Sequence, residues 1–491
     1  MNYEQTLIDN ILGHTPANVL KTDGYKFAMA LAGFPMRWEG FYMSFRRKGM
    51  YYVPFDVETI IHGLLPTNQP HLIENAFLKE QGYSLTPGMA TSIEMLNDDD
   101  AVTVHAAPKG SWVREKEPFF TLLTPSFPCS VLEPLALMLQ YPIQVATEAL
   151  NGRTEFKCTC QDEMAITEAT LKEVGKFEGA TVTLEIHQYR KDVSTRAKSL
   201  IDALDDKDPS RLFEVGMRAC SCMQMHETAL EECKKLGINS TSNVYLARMM
   251  QMKAVGTTGH EHIMRWGNDL DACRAMRDMR PGAPSCLPDT FSVMELGLPA
   301  AFQVMKETPN RPFFIRFDSG DQDEQLKMCV EETTDLSNVS YIFEDSINDE
   351  KVRHFEALCN EYNIPPERRL YGAGGFFVKP EFTDLTRDRV SAVYKLCLTG
   401  DVPVMKTCEG TPAKASVPGV PVIFRRVEEC APELREFSNL IGQAGETPPP
   451  GFALLTAERS VYLKKAVGFS PLTRTYQALC ITKVKKMKKL A

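Results

Sequence analysis

Pro312-Phe-Phe-Ile-Arg-Phe-Asp-Ser-Gly-Asp321 is the stretch on which the fold turns. Residues 312–317 form an apolar run that reads as a buried strand. Residues 322–333 are polar but carry Leu326, Met328 and Val330 among acids and a lysine, which reads as a helix. The turn Asp318-Ser-Gly-Asp321 therefore joins the carboxyl end of a strand to the amino end of a helix. Parallel α/β proteins place their chemistry at that junction. Arg316, the aspartates and the backbone N–H groups suit an anionic, hydroxyl-bearing ligand such as a ribose phosphate. The same residues also suit a structural Asp/Gly turn that caps the helix.

Helix-then-strand units repeat on both sides of this stretch. Residues 228–235 read as a helix with lysines in its last turn and Gly237 as its stop. Residues 339–343 read as a strand, Glu344-Asp345-Ser346 as its turn and residues 349–362 as the next helix. Further ligand-type turns are Ser240-Thr-Ser-Asn243, Gly256-Thr-Thr-Gly-His260 and Gly372-Ala-Gly374-Gly375. A barrel would bring all of them to one face. The expectation is an α/β protein with an irregular (β/α) barrel core at 151–400. A mixed α+β domain at 1–150 precedes it, with short strands near 102–106 and 119–123. A small carboxyl-terminal region at 401–491 follows and contributes a loop to the site.

Composition narrows the class. The 491 residues, 43% of them hydrophobic, can bury two or three cores. The net charge of −9 argues against general nucleic-acid affinity, and the lysines at 483, 485, 486, 488 and 489 read as a solvated tail. No apolar run approaches a membrane span and no signal peptide is visible, so a cytoplasmic location with no membrane partner is expected. The fourteen cysteines are scattered and are expected to be reduced thiols. Cys158/Cys160 and Cys220/Cys222 have Cys-x-Cys spacing, poor for zinc.

Taken in order, the motifs resemble those of the nicotinate phosphoribosyltransferases, type II enzymes related to the nicotinamide phosphoribosyltransferases. The resemblance runs from about residue 20 to about residue 420. It is carried by Thr22-Asp23-Gly-Tyr25, Glu133, Tyr141-Pro-Ile-Gln, Glu214-Val-Gly216-Met-Arg218, Thr241-Ser-Asn243 and Gly256-Thr257-Thr-Gly-His260-Glu261. It continues through Asp289-Thr290, Arg316-Phe-Asp318-Ser-Gly-Asp321, Tyr371-Gly-Ala-Gly374, Tyr394-Lys395 and Lys414-Ala-Ser416-Val-Pro418-Gly419.

The resemblance implies transfer of phosphoribose from phosphoribosyl pyrophosphate to nicotinate, in NAD biosynthesis, with ATP hydrolysed through a phosphohistidine. It makes His260 the phosphorylated residue, with Glu261 orienting its ring and Asp318 contacting ribose or magnesium. Arg218 and Arg316 then serve the substrate or pyrophosphate pocket, and Thr257 and Ser319 join the substrate-binding set. Gly320, Asp345, Gly374, Gly375 and Ser416 are expected around phosphate. Mg2+ is implied by the polyphosphate substrates, with no dedicated metal cage. Tyr25 is expected to stack on the pyridine from across a subunit boundary, which would require a homodimer.

Nicotinate and nicotinamide divide the residues. Nicotinamide sites carry an aspartate where this chain has Ser242; a hydroxyl there can donate to a carboxylate, which favours nicotinate. Asp321 is also of the nicotinate type. Ala219 in place of a second arginine, and Gly375 in place of a threonine, point the other way. Two further readings are a non-catalytic nucleotide-binding relative and an unrelated barrel enzyme acting on phosphorylated sugars.

Overall fold

A computed structural model describes residues 2–98, 100–333, 338–407, 415–426 and 439–455. The lysine-rich tail and Lys414 lie outside the described residues.

Seven parallel strands form the core: Leu212–Glu214, Ser240–Thr241, Lys253–Ala254, Ser285–Cys286, Phe313–Phe317, Val339–Phe343 and Arg369–Ala373. Their hydrogen-bonded order follows the chain, and the last strand pairs back on the first through Tyr371–Leu212 and Ala373–Glu214. Among the described residues the ring is open between Lys253–Ala254 and Ser285–Cys286. The α/β barrel is therefore present in an incomplete form. Helices such as Met223–Lys235, Gln322–Glu332 and Asp349–Glu361 return the chain between strands.

Strand periodicity sets what faces inward. In Phe313–Phe317 the side chains of Phe314 and Arg316 line the barrel interior. Phe317 turns the other way and packs on Tyr341 and Phe343, with ring centroids 6.1 and 5.4 Å apart. Phe343 stacks in turn on Phe355 of the helix outside.

An antiparallel sheet lies over the carboxyl ends of these strands. It takes Trp38–Phe45, Thr103–Ala106 and Phe120–Pro125 from the first part of the chain. Ala392–Thr399 and Val402–Pro403 return from beyond the barrel to complete it. The buried Glu39–Arg265 ion pair, at 2.8 Å, ties this sheet to helix His260–Trp266. A three-stranded sheet, Pro421–Arg426 with Asn439–Gln443 and Phe452–Leu454, packs Val422 and Phe424 against Leu123 and Leu398.

Helix Gly24–Leu31 enters the barrel rim. Gly24 N donates to Ser242 O at 2.7 Å, and Asp23 forms a bridge with Asn243. A side chain at Gly256 would lie 2.1 Å from Tyr25 N, and one at Gly259 2.9 Å from the Tyr25 ring. These glycines therefore admit the helix rather than cradle a phosphate.

One expectation about cysteine is corrected. Cys273 and Cys286 are bonded to each other, with Cα atoms 5.7 Å apart, because helix Asp269–Met279 packs on strand Ser285–Cys286. Cys158, Cys160, Cys220 and Cys222 are buried thiols. No described helix is long and apolar enough to cross a membrane.

Candidate active site

A cavity of about 510 Å³ opens where the carboxyl ends of the barrel strands face the antiparallel sheet. A smaller one, about 250 Å³, lies within the barrel and shares Tyr25, Val215, Arg218, Arg316 and Glu344 with it. Strand ends, turns and the overlying sheet each contribute charged groups to these walls.

His260 is the first residue of its helix, held against four polar side chains. Its Nδ1 lies 3.1 Å from Thr290 Oγ1 and 3.7 Å from Asp289 Oδ1. Its Nε2 lies 2.9 Å from Lys406 Nζ and 3.2 Å from Asp318 Oδ2. Burial pushes the imidazole pKa down, Asp289 and Asp318 oppose that, and Lys406 adds to it. A neutral ring that accepts from Lys406 at Nε2 donates from Nδ1 to Thr290. In that tautomer Nε2 carries the ring's lone pair, which points at Lys406.

Arg316 organises the next part of the wall. Its Nη2 pairs with Asp318 Oδ1 at 2.6 Å and Glu344 Oε2 at 3.0 Å. Its Nη1 donates to Thr258 O at 2.8 Å and to Thr257 Oγ1 at 3.2 Å. Burial disfavours the charge of Asp318, but Arg316 and His260 outweigh it and hold the carboxyl well below the usual range. Glu344 is pushed up to about 7 by burial, with Arg316 opposing and Asp318 assisting. Arg218, Arg387, Lys379, Lys395 and Lys406 add positive charge around the same space.

Behind this wall a saturated ion network fixes the helix that carries Tyr25. Lys26, 1% exposed, bridges Glu133 Oε2 at 2.6 Å and Glu261 Oε1 at 2.9 Å. The Tyr25 hydroxyl donates to Glu133 at 2.6 Å. Arg218 lies over the Tyr25 ring, 5.6 Å from its centroid, and 3.3 Å from Asp23 Oδ2.

The structure brings together His260, Asp318, Tyr25, Arg218, Arg316, Asp345, Gly374 and Gly375 as lining of the larger cavity. Ser242 and Thr257 line the smaller one. Glu261 also lines the larger cavity but does not orient the His260 ring: its carboxylate accepts from Lys26 and from Ser130 at 2.6 Å, while Thr290, Asp289 and Asp318 surround that ring. Successive helical residues point about 100° apart, which separates the two side chains. Ser319 donates to Asp289, and Ser416 accepts from Lys406 N at 3.0 Å; neither lines either of these two cavities. Gly320, at φ +83°, shapes the turn whose Asp321 accepts from Glu324 N at 3.1 Å. The Asp318–Asp321 turn is thus half site and half helix cap. Tyr25 lines the cavity that holds His260 of the same chain. Lys26, Arg387 and Lys406 are members that sequence reasoning did not single out, and Glu344 was read only as part of a turn.

Solved nicotinate phosphoribosyltransferase structures share this architecture. The fold matches the nicotinate phosphoribosyltransferase structure from Porphyromonas gingivalis with a TM-score of 0.55 at 17% identity, covering 80% of this chain and 95% of that one. For the enzyme of that name from Vibrio cholerae the TM-score is 0.54 at 18% identity, covering 83% and 92%. Residues 210–416 match the sequence profile of the nicotinate phosphoribosyltransferase (NAPRTase) family. The nicotinate phosphoribosyltransferase of Bacillus subtilis is 22% identical over 270 residues. That alignment takes in 53% of this chain and 52% of the relative, so the chain spans about half the relative's length. The similarity to the nicotinate phosphoribosyltransferase family thus rests on residues 210–416 and on the shared fold.

Proposed function

We propose that the cavity transfers phosphoribose from phosphoribosyl pyrophosphate to nicotinate, giving nicotinate mononucleotide and pyrophosphate, with ATP hydrolysed through phosphorylated His260. The supporting observation is the placement of the His260 imidazole between Thr290, Asp318 and Lys406, beside the partly exposed guanidinium of Arg218 and the buried one of Arg316. Nε2 attacks the γ-phosphorus of ATP and the bond to the ADP oxygen breaks. Lys406 is placed to offset charge on the transferred phosphoryl group.

In the ribosyl step the pyridine nitrogen bonds to C1 as the C1–O bond to pyrophosphate breaks, and the electron pair leaves with pyrophosphate. The cationic ribosyl centre favours a nearby carboxylate, and Asp318 supplies one. The leaving group gathers negative charge, which Arg218 and Arg316 stabilise. Tyr25, held by its bond to Glu133, offers a fixed aromatic face to the base. Asp289 and Asp318 would hold Mg2+: their oxygens and His260 lie within 4.8 Å of one another, and Asp289 Oδ1 is buried without a hydrogen-bond partner. Magnesium would there offset polyphosphate charge.

The test is product formation from nicotinate, phosphoribosyl pyrophosphate and magnesium, with and without ATP. Nicotinate mononucleotide made faster with ATP, and lost in His260→Ala, is expected. A folded, phosphate-binding protein that makes no mononucleotide would instead support a non-catalytic relative.

A further inference from the structure

Asp23 precedes the helix that carries Tyr25, and its side chain makes no cap bond to that helix. It is 1% exposed and lines the smaller cavity with Tyr25, Ser242 and Arg218. Its Oδ1 accepts the Ser242 hydroxyl at 2.6 Å. Its Oδ2 is buried with no hydrogen-bond partner, and Arg218 Nε stands 3.3 Å away, an ion pair without hydrogen-bond alignment.

Three consequences converge on the base subsite. A serine has one O–H, and Ser242 gives it to Asp23, so that hydroxyl cannot also donate to a substrate carboxylate. Arg218 faces both Asp23 and Glu133, the latter at 3.8 Å, so its charge is countered before any acid enters. An orphaned carboxylate oxygen is costly to bury unless a donor reaches it. The surroundings are acceptor-rich and charge-compensated, which suits a neutral substituent that donates N–H.

We propose that Asp23 reads the ring substituent and opens this site to the uncharged pyridine-3-carboxamide, nicotinamide, as a second base. The proposal rests on the phosphoribosyl-transfer reading above. The amide NH2 donates to Asp23 Oδ2, and its carbonyl accepts from Arg218. The bond changes at C1 are those of the acid reaction, and the substituent is unchanged.

The test compares kcat/KM for nicotinamide and nicotinate in the full-length protein and in Asp23→Asn. With Ser242 bound to its oxygen, an asparagine turns an NH2 toward the cavity, which repels the amide donor and attracts a carboxylate. Turnover of nicotinamide by the wild type is expected, with the amide-to-acid ratio falling about tenfold or more in Asp23→Asn. An unchanged ratio, or a wild type that uses the acid and ignores the amide, overturns the proposal. Should Asp23→Asn fail to fold, calorimetric titration of the wild type with each base decides. Nicotinamide bound as tightly as nicotinate supports the assignment, and binding of the acid alone overturns it. If neither base gives product, the phosphoribosyl-transfer reading fails, and the same titrations still decide whether Asp23 recognises the amide.

Discussion

Two clusters of buried arginines and acids occupy opposite ends of the barrel strands and differ in how they are satisfied. At the amino ends, Arg211 Nη1 donates to Glu356 at 3.1 Å and its Nε to Arg369 O at 3.1 Å. Arg369 Nη2 donates to Asn360 at 2.7 Å, and the Tyr371 hydroxyl to Glu356 at 2.5 Å. At the carboxyl ends, Arg218 Nε, Arg316 Nε, Asp23 Oδ2 and Asp289 Oδ1 are all buried without hydrogen-bond partners. Buried polar groups are normally satisfied, and exceptions call for an explanation. The closed cluster holds the fold. The open one leaves donors and acceptors unpaired beside the cavities.

The largest test of this contrast is at the open end. His260→Ala should lower ATP-stimulated turnover by about a hundredfold or more, while unfolding midpoints stay close to wild type. At the closed end the expected effects reverse. Glu356→Ala strands Arg211 and Arg369 and should cost about 3–5 kcal/mol in chemical denaturation. Its KM values should be unaltered in the protein that remains folded. A Glu356 variant with normal stability and impaired turnover would erase the distinction.

An intermediate effect is expected from pH. Burial pushes the Lys395 ammonium down to about 7, with Arg46 and Lys406 adding to the shift and Glu133 opposing it. The lysine is cationic below that value and neutral above it, and its protonated fraction falls about tenfold per pH unit further up. The KM for phosphoribosyl pyrophosphate should therefore rise as pH is raised through neutrality. Lys395→Arg stays charged and should flatten that part of the profile; parallel profiles in wild type and variant would remove Lys395 from phosphate binding. The smallest effect belongs to Thr290→Val, which removes one neutral hydrogen bond to His260 Nδ1. About 1 kcal/mol, or roughly fivefold in the phosphorylation rate by single-turnover kinetics, is expected.

The same contrast explains what the sequence could reveal. Strands Phe313–Phe317 and Val339–Phe343 are continuous apolar runs followed by polar turns, so both the strands and the functional end of each are legible. Ser240–Thr241, Lys253–Ala254 and Ser285–Cys286 are two-residue strands, too short for any periodicity to mark them as barrel staves. His260, Arg316 and Asp318 stand at motif positions and lie together in the cavity. Lys26 and Lys406 act through partners far away in the chain, which local pattern does not encode. Gly256 and Gly259 have the composition of a phosphate loop, yet their lack of a side chain makes room for Tyr25. Ser242 was legible as a position, but its bond to Asp23, which reverses the argument drawn from a bare hydroxyl, was not.

The central claim is that His260 is a phosphorylated nucleophile at the open end of the barrel. The most direct measurement is labelling of the full-length protein with γ-labelled ATP and magnesium, followed by localisation of the label. The account predicts an acid-labile, base-stable phosphoryl group on His260, absent in His260→Ala and discharged when nicotinate and phosphoribosyl pyrophosphate are added. No label on a protein that nonetheless makes mononucleotide faster with ATP, or label retained in His260→Ala, would contradict it.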